Sequence, residues 1–238
     1  MFETSTLCGG FCFTYRKFVL SEILMETPFY IPFIVLSLVC SIIFNIQQKN
    51  RLLYQKLFPF YLGITLTIES IAVYIWSNNE DNMHLYIYFG VFEFIFYFFV
   101  LSQLINSRRV KVFAKAAMFI YPLLFVINRL YFQTTGFHSM TYSLGCLIIA
   151  SICIFYFLEI FQSNRSVVLI KEPAFWICTG ILFFYCCTFP FFGLANFINN
   201  FPSIILNNIS ALLNLMNSLL YSLFTIAFLC RIRIRKSM

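Results

Sequence analysis

Charge is what this chain has least of. Asp, Glu, Lys and Arg together make up 11% of its 238 residues, against about 25% in an ordinary soluble domain. So few charges could not cover the surface of a soluble fold this size. The scarcity excludes a soluble enzyme, a disordered chain and a nucleic-acid binder, despite a formal net charge of +7. Other absences remove membrane chemistries. Asp81, in a loop, is the only Asp, so paired intramembrane aspartates are ruled out. His84 and His138 are the only histidines, and no HExxH zinc site exists. The last apolar run has no Lys for a retinal Schiff base, and there is no GxSx setting for a rhomboid-like serine. No glycine-rich phosphate loop or Walker lysine appears. No cofactor is implied.

What is present is apolar. Hydrophobic residues reach 61% and the mean hydropathy is +0.85. A helix needs about 20 apolar residues to cross the hydrocarbon core. Seven stretches qualify: 28–46, 57–76, 85–105, 112–132, about 141–161, 173–197 and 203–230. The connections are short, so no soluble domain is inserted, and no internal repeat suggests the duplicated halves of many transporters. The expected fold is an all-α, polytopic seven-helix bundle over residues 26–230, with a basic tail at 231–238.

The basic residues set an orientation. Lys49, Arg51 and Lys56 follow span 1; Arg108, Arg109, Lys111 and Lys115 follow span 3; Arg165 and Lys171 follow span 5. Arg231, Arg233, Arg235 and Lys236 anchor the tail. Thirteen of sixteen Lys and Arg therefore fall on one side, and the opposite loops carry none. Cytoplasmic loops are the basic ones, so the N-terminus is expected outside and the C-terminus in the cytoplasm. The RIRIRK run reads as stop-transfer anchoring and contact with anionic lipid, not as a nucleic-acid patch. Only Arg16 and Lys17, in the leader before span 1, are discordant.

That leader, residues 1–25, has no secretory signal pattern. It leaves two readings open: an interfacial amphipathic helix over 13–25, or a chain whose translation starts at Met25. Cys8 and Cys12 could pair, since both lie on the outer side. The seven cysteines within spans read as small hydrophobes, and Cys186-Cys187-Thr188 beside Pro190 suggests a kink.

Ionisable groups inside spans are costly and so are candidates for function. Lys115 and Glu159 lie near cytoplasmic ends and can snorkel. Glu69 and Glu93 lie deeper, roughly 10 and 12 Å below the outer ends of spans 2 and 3. Two carboxylates brought together cannot both ionise cheaply, so a proton or a cation should accompany them. Arg129 in span 4 is about 5 Å from the outer end, and His84 marks the mouth of span 3. Tyr86, Gly90 and Tyr97 share the face of Glu93. In span 7, Asn207, Ser210, Asn214, Asn217 and Tyr221 recur at spacings of 3, 4, 3 and 4, one face of a helix. A weaker stripe, Ser37, Ser41 and Asn45, runs along span 1. These residues suggest a polar cavity in the outer half, built from spans 2, 3, 4 and 7. The alternative is interhelical hydrogen bonding, worth about 0.6 kcal/mol per contact. That explains asparagines better than it explains carboxylates.

The stretches TIESIAVYI (67–75), YIYFGVFEFIFYF (86–98), EPAFWICTGILFFY (172–185) and LLNLMNSLLYSLFTIAFLC (212–230) resemble a group of small seven-span bacterial membrane proteins that lack soluble domains and have no assigned function. The resemblance covers about residues 26–230. It implies a bacterial inner membrane, a chain beginning near span 1 and a neighbourhood of sensory signalling. It assigns no reaction and no site. Three functions follow as expectations. The first is a sensor or signalling accessory that takes a small ligand, ion or proton and acts through a protein partner, met by span faces or basic loops. The second is a proton- or cation-coupled carrier using Glu69 and Glu93. The third is an intramembrane enzyme acting on lipid, weakened by the lack of any nucleophile or metal motif. The lipid bilayer is the one obligatory partner, and no oligomeric state follows from the residues.

Overall fold

The computed structural model describes residues 28–48, 52–78, 80, 82–133, 137–162, 169–193 and 203–236, with the side chains of 203–210 and 231–236 left outside that description. The leader, with its two readings and Cys8 and Cys12, lies outside the described residues. The described backbone is mostly helical, and no strand occurs among the described residues. Its helices are α1 (Ile31–Gln47), α2 (Leu53–Ser77), α3 (Met83–Leu104), α4 (Arg108–Ile127), α5 (Ser139–Gln162), α6 (Pro173–Gly193) and α7 (Ser203–Lys236). A π-helical turn, Asn128–Phe132, prolongs α4.

Six helices are long and apolar enough to cross a membrane: α2, α3, α4 with its π turn, α5, α6, and Ala211–Cys230 of α7. The chain is a multi-pass, all-α membrane protein. α1 is the short member, with 17 residues. Pro28 and Pro32 delay its start to Ile31, since proline fits a helix only in its first turn. Its large apolar side chains Leu36, Val39, Ile43 and Ile46 are exposed, as are Phe119, Leu123, Leu130 and Phe132 of α4 and its extension. Such bands are normal only where lipid covers them.

The apolar part of α7 ends at Cys230, and the helix itself continues through the basic residues to Lys236. RIRIRK holds no Gly or Pro, and Arg and Lys are good helix formers. α6 runs through Pro190 to Gly193, and the Thr188 hydroxyl donates to the Phe184 carbonyl at 2.7 Å.

α6 packs on both α5 and α7, α1 lies against α2 and α7, and α3 touches α4 and α5. Aromatic rings fill the interior. Phe58 is fully buried, with Tyr61, Phe96, Phe224 and Phe228 around it at centroid distances of 5.0–5.8 Å. A second hub, Phe94, meets Tyr121 at 4.8 Å, Tyr142 at 5.1 Å and Tyr185 at 5.2 Å. Gly145 makes room for it: a Cβ there would stand 2.6 Å from the Phe94 ring. The seven described cysteines are free thiols, and Cys40, Cys146, Cys153 and Cys178 are buried in this packing.

Candidate functional site

The interior carboxylates organise the polar chemistry. Glu69 is reached by α2, on the same stripe as Tyr61 and Thr65. It is 5% exposed. The Tyr30 hydroxyl, from the entry to α1, donates to Glu69 Oε2 at 2.7 Å, and the Tyr86 hydroxyl of α3 donates to the same oxygen at 2.9 Å. Glu93, one helical turn before Tyr97 on α3, is half-buried. Its Oε1 accepts from Tyr61 at 2.9 Å and from Tyr97 at 3.1 Å, and those two hydroxyls lie 2.7 Å apart. Tyrosine hydroxyls are the only hydrogen-bond partners of either carboxylate among the described residues.

Glu69 and Glu93 share one cleft with an empty volume of about 520 Å³, open mouth included. Gly90 and Tyr86 of α3, Phe137, Tyr142 of α5, Phe192 of α6 and Asn217 of α7 also line it. Tyr86, Phe137 and Phe192 lie near the α2–α3, α4–α5 and α6–α7 connections, so the cleft sits toward that end of the bundle. Beneath it Tyr61 stacks on Phe96 at 4.2 Å, and the Phe58 hub follows.

A smaller, open recess adjoins it and shares Tyr86, Gly90, Phe137 and Tyr142. His138 lines this recess, 3% exposed, with its ring edge-on to Phe125 at 4.6 Å and no hydrogen bond to either ring nitrogen. Burial, then the positive charge of Arg129 and of His84, pushes its pKa down from 6.5 to about 4.

The candidate residues divide unequally. Glu69, Glu93 and Tyr97 come together. Asn217 and Tyr221 of the α7 stripe reach the cleft, while Asn214, half-buried, does not line it. The backbone of Asn207 and Ser210 belongs to α7, but their side chains lie outside the described residues, as do those of Arg231, Arg233, Arg235 and Lys236. Arg129 sits half-buried in the π turn and His84 is exposed; neither lines the cleft. α4, expected as a wall, lines only the smaller recess, through Tyr121 and Phe125. α5 and α6 take its place, because short connections fix which helices are antiparallel but not which ones meet across the bundle. Glu159 has a bracing role: its two carboxylate oxygens accept the backbone N–H groups of Asn106 and Ser107 at 3.0 and 2.9 Å, at the start of α4.

No family model, curated protein or solved structure matches this chain. Among the described residues no cluster of His, Cys, Asp and Glu could hold a metal ion. The residues that sequence reasoning passed over are Tyr30 and Tyr61. Tyr61 had a signal, its place on the stripe of Thr65 and Glu69. Tyr30 had none, since it lies before the first helix and meets Glu69 only through tertiary packing.

Proposed function

We propose that this chain is a seven-helix sensor or signalling accessory of a bacterial inner membrane, with its N-terminus outside and its C-terminus in the cytoplasm. In that orientation the cleft opens outward and takes a small ligand. The shared cleft carries this reading: two carboxylates, each held by tyrosine hydroxyls, line one pocket among aromatic side chains. With no inserted soluble domain, output requires a partner protein, engaged by span faces or by the basic cytoplasmic loops. A second reading, a proton- or cation-coupled carrier, draws on one observation: the Tyr97–Tyr61–Glu93 hydroxyl cluster offers a short relay beside a carboxylate.

Flux separates the two. The protein is reconstituted in liposomes and proton and monovalent-cation movement is followed for wild type, Glu69→Gln and Glu93→Gln. The sensor reading expects no protein-dependent flux, together with co-purification of a signalling partner from the native membrane. Flux in the wild type that Glu93→Gln abolishes would establish the carrier and end the sensor reading.

A further inference from the structure

Among the described residues the cleft sets no cation beside its two carboxylates, and no Lys or Arg lines it. In each carboxylate both tyrosine donors converge on one oxygen, Oε2 of Glu69 and Oε1 of Glu93. The other oxygen of each has no hydrogen bond among the described residues. Asn217, 6% exposed, repeats the pattern from α7. Its Nδ2 donates to the Leu213 carbonyl at 2.9 Å, which fixes the amide's orientation and leaves Oδ1 as an acceptor with no described partner. Three helices thus bring acceptor oxygens to one cleft without a cation to match them. Acceptors that line a cleft without a donor of their own are open to the N–H groups of a ligand.

The rest of the lining narrows the chemistry. Tyr86, Phe89, Phe137, Tyr142 and Phe192 supply aromatic surface. A bare divalent cation wants six or more oxygen ligands, and this wall offers rings in their place. Aromatic faces attract organic cations. A quaternary ammonium has no N–H and would leave the acceptors unsatisfied.

We propose that the cleft binds a small primary organic ammonium ion, with its N–H groups on Glu69, Glu93 and Asn217 and its carbon frame against the aromatic wall. This names the ligand class of the sensor proposed above and rests on that reading.

The test follows thermal unfolding of the full-length protein in lipid nanodiscs. Benzylamine is compared with benzyl alcohol, benzyltrimethylammonium and sodium chloride at matched ionic strength. Benzylamine should raise the unfolding midpoint saturably, benzyl alcohol should not, and the trimethyl analogue should bind about tenfold or more weakly. Glu69→Gln and Glu93→Gln should each weaken benzylamine by about tenfold or more. The ligand comparison uses the unmodified protein, so it decides even where a glutamine variant does not fold. Equal stabilisation by benzyl alcohol, full stabilisation by sodium alone, or no stabilisation by benzylamine each overturns the proposal. The flux and partner experiments contain no amine, so flux ends the sensor reading by itself. Failed amine binding without flux removes only the ligand class.

Discussion

His138 shows how a single side chain can tie this bundle's stability to pH. It is buried beside Phe125 with neither nitrogen hydrogen-bonded, and the charged groups that act on it are cationic, Arg129 and His84. Its folded pKa of about 4 lies below its ordinary value of 6.5. Between those values the unfolded chain takes up a proton that the folded chain refuses. Its contribution is therefore complete above pH 6.5 and drains away as pH falls toward 4. Thermal melts of purified protein across that window should show a falling midpoint, and His138→Leu should flatten the fall. An unchanged slope in the variant would remove this role. At this scale the sequence was most legible where charge was rare. Glu69 and Glu93 stand out because a carboxylate in an apolar run has few reasons to be there. Their partners do not stand out. Among 14 Tyr and 33 Phe residues, no single ring signals that it is the one holding a carboxylate.

At the scale of helices, two glycines with the same intrinsic propensity have opposite expected effects. Gly145 of α5 faces the Phe94 hub, where a Cβ would stand 2.6 Å from the ring. Phe94 is itself hemmed in by Tyr121, Tyr142 and Tyr185, so it has little room to yield. Gly145→Ala should destabilise by roughly 1–3 kcal/mol, the usual cost of overpacking. Gly63 of α2 has nothing within 4 Å of such a Cβ. Gly63→Ala should stabilise by roughly 0.5–1 kcal/mol through helix propensity alone. Denaturant titrations in mixed micelles measure both, and shifts of the same sign would break the argument. The helices themselves were legible because long apolar runs and basic flanks mark them. Their ends were less so: α7 passes Cys230 because nothing in RIRIRK stops a helix. The cleft's α5 and α6 walls were not legible, since hydropathy identifies a span but not its neighbours.

For the whole molecule the open quantity is parity. Six helices cross by length and apolarity alone, and six crossings would put both termini on one side. Seven would put them on opposite sides, so everything turns on α1. Its 17 residues reach about 26 Å, against a hydrocarbon core of about 30 Å. A shortfall of that size costs only fractions of a kcal/mol per Å, less than leaving the exposed apolar face of α1 in water. α1 also packs on both α2 and α7, which places it within the bundle. Tyr30, the residue just before α1, bonds to Glu69 inside that bundle, so withdrawing α1 would strip a carboxylate of one of its two donors. α1 is therefore expected to cross. In cells carrying an N-terminal and a C-terminal epitope tag, external protease should remove only the N-terminal tag, and the C-terminal one should become sensitive after permeabilisation. Tags that respond together would mean six crossings, and with an even count the outward opening of the cleft would have to be established independently of the N-terminus.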